Sequence, residues 1–383
     1  MLDGVRILAV HHDVGLNGGA LLFQSVLEGL TKDHGAKVAS WVPRDGPIVK
    51  RARALGPVYV AHTPATAGFG PRDVMRRLRG IMRRRAAIGR SEHDLIFANS
   101  AMSLTGAKAL LAREDIPLVV YVHESRYLLE NHVPDLATTT RLLQRADLII
   151  AASAGVAKNL SRILQPSPKI VVVNGFVPSR PLSDNPNELS SPLGATGDGR
   201  RVIGALGTMS WYKGTDLFVV LARRIRDLLP EEDLDFVWIG EPLDRAVANQ
   251  LAHDIDRAEV TDCVSFPGGV DDPTSFVQSL SVLLLPSRED SWPLVMLEAA
   301  AQGVPTVCFR GAGGAEQFLA SGGGTAVPYL DVEAMAQAVV RYLSDADARA
   351  KDSRVAHQIA AAVVADDQIR TVAAELAGVR SST

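Results

Sequence analysis

The chain has 383 residues, of which 47% are hydrophobic and 22% are charged, and its formal net charge at pH 7 is −3. At about 100 to 200 residues per domain, this length predicts two globular domains. The near-neutral charge balance disfavours a nucleic-acid-binding protein, and no run approaches the roughly 18 apolar residues that a membrane span requires.

The first half of the chain alternates short β-branched runs with segments of helical periodicity. Its N-terminus, MLDGVRILAV, lacks the basic segment and long apolar stretch of a signal peptide. Strands that alternate with helices predict a parallel sheet covered by helices. The predicted strands are residues 5–10, 37–42, 58–61, 94–98, 117–122, 147–151 and 169–173.

The first predicted strand leads into HHDVGLNGGALLF, where Gly18 and Gly19 come at the start of a helix. Glycines at such a place let the backbone approach a phosphate closely. Many α/β domains carry a glycine turn there for steric reasons alone, and this alternative stays open. The spacing fits neither the dinucleotide fingerprint nor a P-loop.

Residues 72–90, RDVMRRLRGIMRRRAAIGR, hold eight arginines and one acidic residue. An apolar stripe at helical spacing accompanies them, so the segment is predicted to be a basic amphipathic helix. Such a helix can lie on an anionic membrane surface. An ordinary surface helix in an arginine-rich chain is the alternative.

The predicted strand PLVVYV runs directly into His123 and Glu124. A histidine at the carboxyl end of a strand in an open parallel sheet faces the ligand-binding edge. His123 is therefore a candidate ligand contact, with a structural histidine as the alternative. Glu124 is expected to point sideways, toward Arg126.

The second half of the chain restarts the same pattern after a stretch rich in Pro, Ser, Asn and Gly, which reads as a linker at 178–200. Cys263 and Cys308 lie in strand-like runs and are predicted to be reduced core thiols of a cytoplasmic protein. Strands are predicted at 201–207, 235–240, 263–266, 281–285, 305–309 and 325–329. Helices are predicted at 215–229, 243–258, 293–302, 331–344 and 347–378.

One strand end in this half reads GTMSWYKGTDLF and places Lys213 just before a predicted helix. A cation at a helix N-terminus opposes the helix macrodipole. An anionic ligand held jointly by the lysine and the helix N–H groups would explain its position. A solvated loop lysine is the alternative.

The next strand end reads SVLLLPSREDSWPLVMLEAAAQGVP. Ser291 is predicted to cap a helix whose first position is Pro293, where a missing N–H costs nothing. Glu298 then lies about one and a half turns inside the helix. The sequence thus predicts a helix N-terminus beside the carboxyl end of a strand.

The carboxylates of this segment divide at the helix start. Free N–H groups near 292–294 form a ready anion site, and Asp290, just ahead of them, is placed to meet a ligand. Glu289 is expected to point the other way. The alternative is an acidic loop whose carboxylates only favour the helix dipole.

With these motifs in order, the chain resembles a retaining glycosyltransferase of family 4 with the GT-B fold. In the family signature, seven residues separate two glutamates, and a helix and Gly-x-Pro follow. Asp290 and Glu298 occupy these positions here, followed by AAAQGVP. Aspartate at the first position shortens the side chain by one methylene, and Thr208 replaces an arginine that is usual in the family. Further matches are Gly18-Gly19, His123-Glu124, VVNGF at 172–176, Lys213-Gly214 and GGAEQF at 313–318.

The resemblance implies an α/β fold of two doubly wound Rossmann-like domains that face each other across a cleft. Residues 1–177 would form the acceptor-binding domain and residues 201–363 the donor-binding domain. A C-terminal helix at about 364–383 would cross back to the first domain.

The resemblance also implies roles for individual residues. Asp290 and His123 would be catalytic, beside the transferred sugar. Lys213 would bind the donor diphosphate, and Glu298 the ribose hydroxyls. The other implied donor contacts are Gly18, Gly19, Ser291, Trp292, Pro293, Leu294 and Val270, the last of these beside the nucleobase.

The implied reaction moves a sugar from a UDP- or GDP-sugar to a hydroxyl of a sugar, a lipid-linked or a small-molecule acceptor, in polysaccharide, glycolipid or glycoconjugate biosynthesis. Neither a metal nor another cofactor is expected, because Lys213 and helix dipoles supply the positive charge. The protein would be cytoplasmic and peripheral on the inner face of the membrane.

Two other functions remain open on the sequence. A sugar-nucleotide epimerase would share the GT-B fold and convert the donor without an acceptor. A non-catalytic binding protein would bind nucleotide and turn nothing over. The departures from the family pattern at Asp290 and Thr208 keep this alternative open. A dinucleotide-dependent oxidoreductase is disfavoured, because the glycine run at 311–316 ends in glutamate where Gly or Ala is required.

Overall fold

The computed structural model describes residues 2–61, 93–111, 115–178, 200–270 and 272–381. The basic segment 72–90 and nearly all of the predicted linker lie outside the described residues. The chain separates into two compact units. The first is Met1–Ser179 with Ala365–Thr383, and the second is Arg180–Val364.

The first unit contains a seven-stranded sheet in which every pairing is parallel, in the order β3-β2-β1-β4-β5-β6-β7. Its central strands are almost fully buried, because helices cover both faces of a parallel sheet. The strands are β1 (Arg6–Val10), β2 (Lys37–Val42), β3 (Val58–Val60), β4 (Leu95–Asn99), β5 (Leu118–Val122), β6 (Leu148–Ala151) and β7 (Lys169–Val172).

The described helices of the first unit include one from the far end of the chain. The side chain of Ile369, on that C-terminal helix, packs closely on Gly29. A Cβ on Gly29 would lie only 2.7 Å from the Ile369 side chain. The helices are α1 (Gly18–Lys32), α2 (Pro47–Leu55), α3 (Met102–Leu111), α4 (Arg126–Asn131), α5 (Leu136–Arg145), α6 (Ala154–Ile163) and α14 (Ala365–Ser381).

The second unit contains a six-stranded parallel sheet in the order β10-β9-β8-β11-β12-β13. Apolar side chains from both faces of this sheet form two buried clusters with the surrounding helices. The strands are β8 (Arg201–Leu206), β9 (Leu234–Ile239), β10 (Val264–Gly268), β11 (Leu280–Leu285), β12 (Thr306–Phe309) and β13 (Gly324–Val327).

Helices follow most strands of the second unit, as a doubly wound sheet requires. Cys308 is buried on β12, and burial raises the pKa of its thiol to about 12. The described helices are α7 (Thr215–Leu228), α8 (Arg245–Arg257), α9 (Thr274–Ser279), α10 (Leu294–Ala301), α11 (Gly314–Leu319), α12 (Val332–Ser344) and α13 (Ala346–Ala362).

The predicted fold class is confirmed: each unit is a Rossmann-like parallel sheet flanked by helices. The helical tail predicted at 347–378 consists of two helices, and the second, α14, lies close to the C-terminal helix expected at about 364–383. Two short helices, α9 and α11, were not predicted, because six residues are too few to show a helical period. Within the described residues, no helix combines the length and the apolar character needed to cross a bilayer.

Candidate active site

The strand order of the second unit brings two of the predicted motifs together. Strands β8 and β11 are hydrogen-bonded neighbours and run parallel. Since the carboxyl ends of parallel strands meet at one edge of a sheet, the loop after β8 and the loop after β11 lie side by side. The first loop carries Lys213 and the second carries Asp290.

Gly214 explains how closely the two loops approach. It has a φ of +75° and forms the N-cap of α7 in the left-handed conformation. A Cβ at this position would lie 2.0 Å from the carbonyl oxygen of Pro286, at the end of β11. Glycine is therefore required both by the dihedral angle and by the contact, and it holds the lysine turn against the other loop.

Lys213 and Asp290 form an ion pair across 77 residues of sequence, with Nζ 2.6 Å from Oδ2. The two side chains are only 22% and 11% exposed. Burial opposes the charge of Lys213, but the adjacent Asp290 carboxylate outweighs it, and the pKa of Lys213 is raised. Lys213 therefore remains charged at neutral pH.

A second glycine contact holds the backbone of Asp290. The N–H of Asp290 donates to the carbonyl of Ala312, and its carbonyl accepts from the N–H of Gly314. Gly313 has a φ of +141°, and a Cβ there would lie 1.7 Å from the carbonyl oxygen of Asp290. The GGAEQF segment thus contributes by letting the backbone come close to Asp290, not by its side chains.

The helix after β11 begins later than the sequence predicted. Pro293 is its N-cap and makes no side-chain cap, so the prediction that Ser291 caps it with Pro293 at its first position is wrong. The reason is that Asp290 is drawn into backbone pairing with the segment around Gly313, which keeps residues 290–292 non-helical.

The predicted donor contacts of this segment lie on both sides of the new helix start. Pro293, the N-cap, is buried, and the three other predicted donor contacts next to it in sequence are half-buried. Glu298 is half-buried on α10, about one turn after the helix begins. The half-buried side chains are those of Ser291, Trp292 and Leu294.

Arg288 is a residue of this edge that the sequence reading missed. Its guanidinium forms a bidentate pair with Asp216, at 2.7 and 2.8 Å, and lies 4.8 Å from the ring centre of Trp211. Its backbone N–H donates to the carbonyl of Tyr212. Arg288 therefore ties the lysine turn to the β11 loop. The sequence did contain a signal for Arg288: it is an arginine in the SRED segment that can pair with an acidic residue at a helix N-terminus.

Val270 follows the carboxyl end of β10 and is 39% exposed. The N–H of the preceding residue, Gly269, donates to Oε1 of Glu241, at 2.8 Å, from the loop after β9. The end of β10 therefore borders the same edge of the sheet as Lys213 and Asp290. Thr208, at the position where the family usually has arginine, is exposed.

In the first unit, His123 belongs to a polar cluster at the ends of three adjacent strands. Its Nε2 lies 2.8 Å from Oδ1 of Asn99, and its ring contacts that of Tyr121 at a tilt of 39°, with centroids 4.1 Å apart. Nδ2 of Asn99 lies 2.9 Å from Nδ1 of His12. Burial, with His12 close by, lowers the pKa of His123 to about 3, so this histidine is neutral at physiological pH.

Glu124 does not point toward Arg126, and that prediction is wrong. Its carboxylate is buried and accepts hydrogen bonds from the hydroxyl of Ser100 and from the N–H of Ala101, the latter at 3.0 Å. Arg126 pairs with Glu130 instead. The carboxylate turns inward because the donors before α3 would otherwise be buried without a partner.

Gly18 and Gly19 are the first two residues of α1, and Asn17 caps the helix by accepting from the N–H of Ala20. A Cβ at Gly19 would make only ordinary contact, 3.5 Å from the ring of His12. Within the described chain, packing therefore does not require glycine at this position.

The described residues contain no group of three or more His, Cys, Asp or Glu side chains able to hold a metal ion. Three Asp-x-Asp triplets occur in the sequence, beginning at residues 233, 254 and 345. Asp254 and Asp256 lie on α8, and Asp345 caps α13.

Two family models match the chain. The model described as "Glycosyltransferase Family 4" matches residues 16–180, and the model described as "Glycosyl transferases group 1" matches residues 200–345. Together they include most of both structural units, and they meet at the predicted linker.

Two curated relatives show the level of similarity. A lipopolysaccharide core biosynthesis mannosyltransferase, LpcC of Rhizobium leguminosarum, is 30% identical over 216 residues, covering 55% of this chain and 58% of the relative. A D-inositol 3-phosphate glycosyltransferase of Corynebacterium urealyticum is 29% identical over 247 residues, covering 62% and 56%. The chain thus spans somewhat over half the length of these relatives.

A solved structure extends the likeness to the whole fold. Anabaena Alr3699/HepE, in complex with UDP and glucose, superposes with a TM-score of 0.76 at 19% identity, covering 98% of this chain and 100% of the other. At this identity the match concerns the fold, which is that of the GT-B glycosyltransferases. With the first half of the chain matched by the family 4 model and the second half by the group 1 model, the protein is a glycosyltransferase of the family 4 type.

Proposed function

We propose that the protein is a retaining glycosyltransferase that moves a sugar from a nucleoside diphosphate donor to a hydroxyl acceptor. The ion pair of Lys213 and Asp290 is the observation that carries this proposal. It places one cation and one anion, both largely shielded from water, at the ligand-binding edge of a doubly wound sheet. A sugar transfer needs this combination of charges.

The charges match the two halves of the transition state. As the bond from the anomeric carbon to the phosphate oxygen breaks, the sugar becomes oxocarbenium-like and the diphosphate leaves with the electron pair. Lys213 stabilises the leaving diphosphate, and the Asp290 carboxylate stabilises the positive sugar. The acceptor oxygen attacks from the face that the diphosphate leaves, and the acceptor proton passes to a phosphate oxygen.

The pairing of Lys213 with Asp290 implies an exchange when the donor binds. The Asp290 carboxylate accepts a hydrogen bond from the ammonium group of Lys213, which the diphosphate would use. A diphosphate, with more negative charge than a carboxylate, would draw the lysine toward itself. Asp290 would then be released for the sugar.

The other donor contacts follow from the placement of the remaining residues. Glu298 would bind the ribose hydroxyls from α10, and the N–H groups around Leu294 would bind the phosphate or the sugar. Val270 and the end of β10 would border the nucleobase. His123, which is neutral, would hydrogen-bond a sugar hydroxyl without adding charge.

The relatives suggest which sugar and acceptor to test first. One is named as a mannosyltransferase of lipopolysaccharide core biosynthesis, and another acts on D-inositol 3-phosphate. A glycoconjugate or phosphorylated polyol acceptor is therefore our first choice, with a UDP- or GDP-sugar as donor.

We propose that transfer needs no divalent metal, since Lys213 supplies the charge. A lasting loss of turnover with EDTA would contradict this. Membrane contact through residues 72–90 stays a prediction.

A panel of UDP- and GDP-sugars tests the function. We expect one donor to raise the melting temperature and then to be hydrolysed or transferred, with the α or β configuration of the sugar retained in the product, as read by proton NMR. An inverted product would contradict the retaining mechanism. Binding without turnover would indicate a non-catalytic binding protein, and conversion of the donor alone would indicate an epimerase.

Gly19→Ala separates a ligand role of the glycine from a structural one. Because a Cβ fits against the protein itself, at 3.5 Å from His12, we expect no loss of melting temperature. If the donor approaches this backbone, the KM of the donor should rise about tenfold, the effect of losing one good hydrogen bond. Gly378→Ala on α14, where a Cβ meets nothing within 4 Å, is the matched control. Unchanged donor kinetics in Gly19→Ala would remove this residue from the site.

A further inference from the structure

Asn99 lies at the centre of the polar cluster in the first unit. It is the last residue of β4, and the neighbouring strands β1 and β5 lead to His12 and His123. Asn99 is fully buried, and its side chain contacts both histidines. A buried amide that links two titratable rings restricts where their protons can be.

The orientation of the Asn99 amide follows from a third contact. Nδ2 of Asn99 lies 3.2 Å from the carbonyl oxygen of Gly19, which can only accept a hydrogen bond. The nitrogen of the amide must therefore be on this side, and its second hydrogen points to Nδ1 of His12, at 2.9 Å. Oδ1, an acceptor only, then faces Nε2 of His123 at 2.8 Å.

These contacts determine the tautomers of both rings. Nδ1 of His12 receives a hydrogen bond, so the proton of neutral His12 is on Nε2. Nε2 of His123 must donate, so this ring also carries its proton on Nε2 and leaves Nδ1 unprotonated. The ring nitrogens that Asn99 does not contact are therefore opposite in kind: Nε2 of His12 is a donor, and Nδ1 of His123 is an acceptor.

We propose that Asn99 is a positioning residue for sugar transfer, which holds His12 as a hydrogen-bond donor and His123 as a hydrogen-bond acceptor toward hydroxyls of the substrates. The role in transfer rests on the proposed function, whereas the tautomers are a property of the protein alone. His123 touches the substrate in this proposal, and Asn99 acts through it.

Several charged and titratable groups surround the two rings. Glu124 and Asp13 act to raise the pKa of His12, but burial outweighs them and lowers it. Asp13 is itself paired with Arg44. His11 and Tyr121 are buried, and burial keeps each of them neutral, the imidazole with a pKa of about 3. With these surroundings, both histidines are neutral at pH 7.

Nitrogen-15 NMR of the histidine rings tests the proposal directly, with the signals assigned by His12→Gln and His123→Gln variants. In the wild-type protein at pH 7, we expect both rings to carry the proton on Nε2. In Asn99→Asp, the new carboxylate can only accept, so the proton of His12 should move to Nδ1 while His123 keeps its proton on Nε2. A wild-type ring protonated on Nδ1 would overturn the proposal, whether or not the variant folds.

The pH dependence of turnover tests the functional part. A carboxylate at position 99 raises the pKa of a neighbouring histidine by about 1 to 3. The pKa of His123, about 3 in the wild type, should therefore rise toward the ordinary range of a histidine. Below that pKa, Nδ1 is protonated and the acceptor is lost, so turnover of Asn99→Asp should fall toward acid pH where the wild type shows no such limb. At pH 7, kcat should be about tenfold lower than in the wild type.

Asn131→Asp makes the same chemical change on exposed α4, where the asparagine donates to the carbonyl of Tyr127, and it should alter neither readout. If the tautomers change as expected in Asn99→Asp while kcat and its pH profile do not, the role in transfer is wrong. If the wild type turns over no donor at all, the proposed function fails, but the ring tautomers still decide whether Asn99 orients the histidines.

Discussion

Lys213→Met is expected to lower turnover about 10²- to 10³-fold, the usual effect of removing one preorganised group that stabilises transition-state charge. Methionine keeps most of the length and apolar surface of the side chain but has no charge. The leaving diphosphate then has no ammonium group beside it, and the KM of the donor should rise as kcat falls. Steady-state kinetics with the donor identified in the panel measure both.

The same substitution should also destabilise the protein. It leaves the Asp290 carboxylate, only 11% exposed, without its partner. A buried acceptor left unsatisfied costs about 1 to 3 kcal/mol, so the free energy of unfolding should fall by this amount. Donor binding and turnover at wild-type levels would show that the lysine is only structural.

Lys169→Met provides the control for Lys213→Met. Lys169 also pairs with a carboxylate, that of Glu375 at 2.7 Å, but its side chain is 60% exposed. Exposed ion pairs contribute only about 0 to 1 kcal/mol. We therefore expect a small change in unfolding free energy and none in turnover.

Asp290→Asn is expected to separate binding from chemistry. The amide keeps the shape of the side chain but removes the negative charge opposite the sugar, so kcat should fall about 10²- to 10³-fold. The diphosphate no longer has to displace a carboxylate from Lys213, so the Kd of the nucleoside diphosphate should stay the same or decrease. Isothermal titration of the diphosphate and steady-state kinetics measure the two effects separately.

Two neighbouring substitutions complete this test. Asp290→Glu restores the longer side chain of the family signature and should retain turnover, because the charge is kept. Glu289→Gln removes the adjacent carboxylate, which the sequence places outside the site, and should change little. Wild-type kcat in Asp290→Asn, or a loss in Glu289→Gln as large as that in Asp290→Asn, would reassign the catalytic carboxylate.

Several features of the site could be predicted from the sequence because they depend on a few adjacent residues. The carboxyl end of a buried apolar strand can be recognised from a short segment, and Lys213, His123 and Asp290 all lie after such strands. Asn99 ends the run LIFAN in the same way but was not selected. A neutral amide shows no pattern of charge to single it out, although its position was as informative as that of His123.

The predicted start of α10 was wrong because local rules compete with a distant contact. A serine followed by two residues and a short apolar run favours an N-cap, but the pairing of Asp290 with Gly313 decides the backbone there. Glu124 was misplaced for a similar reason. Its donors, Ser100 and Ala101, lie 24 and 23 residues away, before α3, and only the adjacency of β4 and β5 brings them to it.

The sequence by itself determined the type and position of the strands and the doubly wound class, since each depends on burial patterns within a short segment. It also placed the three candidate carboxylates, Glu289, Asp290 and Glu298, after one of these strands. Only the tertiary structure decided that Asp290 pairs with Lys213 and that Asn99 joins His12 to His123. Both results depend on strand order, β8 beside β11 and β4 between β1 and β5. Strand order arises from packing of the whole sheet, and no single segment encodes it.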